Sequence, residues 1–194
     1  MRVFKKTIIV LLVGAVLVSF LDSCKKGEDD PAISLKSRTA RLKGEWELVS
    51  GVGSYVNPNY TYTVTYSGTT ATTTQGSNSS TRPYSEKHEF GKNNVYKYTL
   101  SDDNSMKFTE GFWTFIGGYD DYSKKEMVLV RTKFESVTST YYNYSTTYTE
   151  DEMPSEVIRF KRLSSKECII EYDGTTTYDS NIYRYNIEKT FKKK

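Results

Sequence analysis

The sequence predicts an all-β protein, an antiparallel up-and-down β-barrel of eight to ten strands, with an open β-sandwich as the alternative. Three observations carry this. Short segments alternate apolar and polar residues with a period of two, which places one face of each in a core. Turn residues separate those segments at spacings of about ten. No segment holds the apolar period of a helix.

Taken in order, residues 44–51 set Trp46 and Leu48 on one face and Glu45 and Glu47 on the other. The composition then changes, because 13 of the 22 residues in 60–81 are Ser or Thr. Within that tract Tyr60, Tyr62, Val64 and Tyr66 alternate with threonines, which predicts a strand over 60–66 followed by a turn at Ser67-Gly68-Thr69-Thr70. Residues 71–75 read equally as a returning strand or as unpacked low-complexity chain, with a mobile tip at 76–80. Clearer alternation marks 84–90 and 95–100, separated by Gly91-Lys92-Asn93-Asn94, and then 106–116 after Asp102-Asp103-Asn104. Gly117-Gly118 ends that strand, and 126–134 is the next. Residues 135–152 form another Ser/Thr/Tyr tract closed by Pro154, and 156–163, 166–172 and 181–191 complete nine candidate strands. Closure of such a series leaves no exposed sheet edge.

The N-terminus predicts an address. Arg2, Lys5 and Lys6 precede an 11-residue run of apolar residues and glycine at 8–18, too short for a membrane span and suited to a signal-peptide core. The following Leu21-Asp22-Ser23-Cys24 resembles a bacterial lipobox, apart from the charged Asp22. That resemblance implies cleavage after residue 23 and lipidation of Cys24, palmitate included. Lys25-Lys26-Gly27-Glu28-Asp29-Asp30 cannot pack by itself and reads as a solvated spacer. Acids just after the cysteine are similar to the surface-export signal of lipoproteins in gut and oral Gram-negative bacteria. The expected organisation is signal peptide 1–23, lipidated cysteine and tether 24–40, and one barrel domain 41–194. The expected location is the outer membrane, lipid-anchored and surface-exposed, with a periplasm-facing orientation as the alternative.

Leu42-Lys43-Gly44-Glu45-Trp46-Glu47-Leu48 resembles the opening strand of lipocalins, and more closely of lipocalin-like lipoproteins that place L-x-G-x-W-x-L after a lipidated tether. Gly44 lets the chain approach the barrel base, and Trp46 plugs that base with a large apolar area. The resemblance implies a basic residue from the last strand over Trp46. Arg184 is the nearest candidate, and Arg159 is the other.

Chemistry is mostly excluded. Without the leader the chain carries 24 basic and 23 acidic side chains, so the charge balance gives no argument for nucleic acid. Cys168 is left alone once Cys24 is lipidated, and its strand context reads as a small buried hydrophobe. His88 is the single histidine, and no nucleophile motif, phosphate-cradling loop or dinucleotide fingerprint is present. One histidine and one free thiol do not make a zinc set. The acid pairs Asp102-Asp103, Asp120-Asp121 and Asp151-Glu152 fall in turns, where solvated acids are ordinary. No catalytic residue, metal or cofactor is expected.

Binding is the expected role. A barrel of this size can hold one small amphipathic ligand, with Tyr96, Tyr98, Trp113 and Phe115 as the lining, although such residues more often fill the core of a small barrel. Tyr141 and Tyr144 stand in a Tyr- and Thr-rich tract that suits a glycan or a protein loop, because tyrosine joins a flat apolar body to a hydrogen-bonding tip. The alternative is a structural module of an outer-membrane assembly, with a filled barrel and an outer-membrane protein partner.

Overall fold

In the computed structural model, residues 37–57, 59–117, 126–178 and 181–194 are described. The expected leader, Cys24 and most of the tether lie outside them. Eleven strands follow the short helix α1 (Arg38–Leu42): β1 (Gly44–Val56), β2 (Thr61–Ser67), β3 (Thr70–Gln75), β4 (Asn78–Phe90), β5 (Val95–Asp102), β6 (Ser105–Ile116), β7 (Glu126–Ser139), β8 (Asn143–Thr147), β9 (Ser155–Leu163), β10 (Glu167–Tyr178) and β11 (Asn181–Lys193). The expected boundary at residue 41 is crossed by α1, whose N-cap Ser37 accepts from the Ala40 amide at 3.2 Å.

Ten strands close an antiparallel up-and-down barrel in the order β1-β2-β3-β4-β5-β6-β7-β9-β10-β11, joined through the β6–β7 pairing. The predicted fold class is therefore the observed one. Its wall changes along its length. Near the start of β1, residues Gly44–Glu47 pair directly with β4, whereas Gly51–Val56 pair with β2. The β2–β3 hairpin is thus a wedge between β1 and β4, and the ring passes from eight strands to ten. Diameter grows with strand number, so the barrel widens away from its base. On the other side, β9 and β8 share one edge of β7 in succession, at Glu126–Arg131 and Phe134–Thr138.

Alternation explains the inward faces. A register shift between Leu48 and Ser50 resets β1, so Trp46 and Leu48 point inward before it and Gly53 and Tyr55 after it. Val52 consequently turns outward and is 55% exposed. The tip expected to be mobile at 76–80 is instead a tight turn, with Gln75 opposite Asn78 and Gly76 at φ 58°. Residues 78–83 extend β4, and β3 and β8 form in tracts whose Ser/Thr content gave no decisive signal.

The base is apolar and tightly buried. Trp46, Phe90, Phe160, Phe191, Leu163 and Ile170 are all fully buried there, and Phe90 meets Phe160 at 6.1 Å between ring centroids. Trp46 donates its indole N–H to the Leu42 carbonyl at 2.7 Å. Gly44 lies at φ 136°, a conformation that side chains rarely adopt, with the Lys193 stem 3.1 Å from where a Cβ would stand. The basic residue over Trp46 is Lys193, whose Nζ is 4.7 Å from the ring centroid and donates to the Arg41 and Lys43 carbonyls. Arg184 is not that residue: it pairs with Val56 at the far end of β1, because β11 runs antiparallel to β1 and only its last residues reach the base. Arg159 does not serve either, since it pairs with Asp173. Arg41 and Glu126 form a buried ion pair at 3.0 Å beside the base.

Candidate ligand-binding cavity

Above the base the inward side chains change character. Tyrosine, threonine, glutamate and lysine replace phenylalanine and leucine, and the two extra strands move the walls apart. The result is an interior cavity of about 700 Å³, within the size range of small-molecule sites. Tyr55, Tyr96, Tyr98, Tyr172 and Tyr185 line it together with Leu100, Val130 and Ile187. Six groups able to carry charge also face it: Glu86, His88, Lys107, Glu135, Glu156 and Lys189.

At its floor stands a buried polar cluster. Glu86 and His88 alternate with Lys87 and Glu89 along β4, so both point inward next to Tyr84 and Phe90. Lys189 enters from β11 between the inward Ile187 and Phe191. The Glu86 side chain is 1% exposed and that of Lys189 8%. Lys189 Nζ donates to Glu86 Oε2 and, at 2.8 Å, to the Tyr84 hydroxyl. Tyr84 in turn donates to Glu86 Oε2 at 2.6 Å. His88 Nε2 lies 3.4 Å from Glu86 Oε1, and its Nδ1 is 2.8 Å from the Tyr96 hydroxyl. His88 thus bridges the Glu86 carboxylate and the Tyr96 hydroxyl through its two ring nitrogens.

The electrostatics follow from these contacts. Burial alone raises the Glu86 carboxyl, but the His88 hydrogen bond and the Lys189 ammonium outweigh it and hold the group down at about 2. Burial pushes the Tyr84, Tyr96, Tyr98 and Tyr172 phenols up, with Glu86 adding to each, so all four stay protonated. Lys189 also sits over aromatic faces, 4.5 Å from the Tyr66 centroid, 5.2 Å from Tyr84 and 5.6 Å from Tyr172.

A second pair lies at the rim. Lys107 meets Glu135 at 2.5 Å, and the Tyr144 hydroxyl donates to the same carboxylate at 2.7 Å. Burial raises the Glu135 carboxyl, yet these two partners bring it below its ordinary value. The hydrogen bond to Glu135 pushes the Tyr144 phenol up to about 12.

The structure divides the aromatics singled out from sequence. Tyr96 and Tyr98 line the cavity. Trp113 is buried in the core, edge-on to Phe90 at 5.8 Å and to Phe115 at 5.6 Å, and Phe115 is capped by the Arg38 guanidinium at 4.6 Å. Tyr141 is 84% exposed on the turn between β7 and β8. Tyr144 is also exposed, stacks on Tyr142 at 6.1 Å and touches the cavity only through Glu135. Sequence reasoning missed Glu86, Lys189, Glu156 and Tyr172. The available signal was an acid, a histidine and a lysine in the inward phase of strands that are otherwise aromatic and aliphatic.

The remaining candidates have ordinary surroundings. Cys168 is fully buried and burial pushes its thiol up, away from the reactive thiolate. The Asp102 carboxylate accepts from the Asn104 and Ser105 amides at 3.1 and 2.8 Å, as a turn-forming side chain does. Asp151-Glu152 lies in a short 3-10 turn, and Asp120-Asp121 lies outside the described residues. Among the described residues no group of three or more His, Cys, Asp or Glu side chains is placed to hold a metal ion. No protein-family model, curated protein or solved structure matches the chain.

Proposed function

We propose that the chain is a non-catalytic binding lipoprotein, lipid-anchored through Cys24 to the outer membrane and surface-exposed, whose lipocalin-like barrel captures a small amphipathic ligand. The observation that carries the binding role is the cavity of about 700 Å³, with its tyrosine and aliphatic walls and a few fixed polar groups. A barrel serving only as a structural module would gain stability by filling that space. The non-catalytic reading draws support from the cluster itself: Glu86 is committed to Lys189 and Tyr84, and the phenols are held protonated. The tether reading rests on the lipobox and the spacer after it. A permanently anchored domain waits for its partner, which suits capture better than diffusible transport.

Native mass spectrometry of the protein purified from its own cells tests the cavity. A co-purified small molecule is expected, and its loss is expected in Leu100→Trp, which fills the space without touching the ion pair. Protein that carries nothing, or whose bound molecule persists in Leu100→Trp, overturns the reading. Labelling cells with an alkynyl palmitate checks the anchor: incorporation is expected in the wild type and not in Cys24→Ala. A second reading is favoured by the exposed Tyr142–Tyr144 stack, which offers a platform for a sugar ring. Glycan binding that vanishes in Tyr141→Ala with Tyr144→Ala would identify it.

A further inference from the structure

We propose that the ligand of this cavity is an organic cation, an amine or quaternary ammonium on an apolar body, received between the Glu156 carboxylate and the faces of Tyr96, Tyr98 and Tyr172. The inference rests on the capture reading and names its substrate class. Both cavity lysines are already committed, Lys189 to Glu86 and Lys107 to Glu135. Glu156 also lines the cavity, and its side chain forms no ion pair or hydrogen bond with any described residue. With Lys189 paired to Glu86 and Lys107 to Glu135, Glu156 is the lining carboxylate that has no lysine beside it. An anion entering here meets that carboxylate and finds no free ammonium.

The walls favour a cation for a second reason. A protonated phenol ring presents a negative face. Lys189 shows that this interior accommodates an ammonium in such surroundings, within 4.5 to 5.6 Å of three tyrosine centroids. Tyr96, Tyr98 and Tyr172 all lie within the electrostatic reach of Glu156 and line the same space. Leu100, Val130 and Ile187 provide the apolar wall for the rest of the molecule.

Titration calorimetry of the full chain with tryptamine, tryptophol and indoleacetate tests this, because the three share one body and differ in charge. Tryptamine is expected to bind about tenfold or more tighter than tryptophol, with indoleacetate weakest. Glu156→Gln, at an exposed strand position, is expected to erase the preference for the amine while leaving the melting temperature in place. Tyr98→Leu is expected to weaken tryptamine more than tryptophol. Equal or tighter binding of tryptophol or indoleacetate, or an unchanged preference in Glu156→Gln, overturns the cation assignment and leaves capture standing. If neither the indoles nor neutral Nile red binds, both fall.

Discussion

The base of the barrel and its wider half share the same strands and obey different rules. At the base, eight strands bring Trp46, Phe90, Phe160 and Phe191 into one cluster of fully buried side chains, with Phe90 against Phe160. In the wider half the β2–β3 wedge parts β1 from β4, and inward tyrosines, acids and lysines stand around a cavity. Strand number thus separates a region that stabilises from a region that can receive a ligand. The base gains from close packing, where every methylene counts. The wider half depends on polar groups satisfying one another, where removing one partner strands the other.

The sharpest way to break this contrast is to empty the base. Trp46→Ala removes the largest plug, its hydrogen bond to Leu42 and the ring beneath Lys193, and is expected to cost about 4 kcal/mol in urea unfolding. A cost under about 1 kcal/mol would mean that the base does not anchor the fold.

The wider half is tested through its ion pair. Glu86→Gln leaves Lys189 buried without its carboxylate and is expected to cost about 3 kcal/mol at neutral pH, with Lys189→Met in the same chain restoring most of it. The pH dependence follows the same group. Its folded value of about 2 lies below the ordinary 4.5, so its stabilisation is complete above pH 4.5 and is lost as pH falls toward 2. Acid unfolding of the wild type should steepen in that window, and Glu86→Gln should flatten it.

Identical substitutions in the two regions give a smaller difference. Leu163→Ala, wholly buried at the base, is expected to cost about 3 kcal/mol, and Leu100→Ala, half-buried beside open space, about 1 kcal/mol. Equal costs would show that the cavity wall packs as tightly as the base. The least effect is expected at the outer surface, where Tyr141→Ala should change stability by less than about 0.5 kcal/mol.

Much of the fold was legible because alternation is a local property. Tyr84, Glu86, His88 and Phe90 occupy one face by spacing alone, and Gly44 with Trp46 marks the strand that opens the base. The Ser/Thr tracts were less readable, because exposed threonine has high strand propensity and is also common in unpacked chain. β3 became a strand by pairing on both sides, with β2 and β4, which no local pattern encodes. The candidate site was legible only in part. Tyr96 and Tyr98 were found, while Trp113 and Phe115 share their inward phase but lie among the base aromatics.

By itself the sequence determined the all-β class, the turns, most strand positions and which face of each strand turns inward, since period-two patterning needs only neighbouring residues. Only the tertiary structure decided where along the barrel each inward residue sits and what it meets. It set Lys193 rather than Arg184 over Trp46, joined Lys189 to Glu86 across 103 residues, and opened the cavity by wedging β2 and β3 into the wall. Those outcomes depend on register and on the number of strands in the ring, and both are fixed by pairing between distant segments.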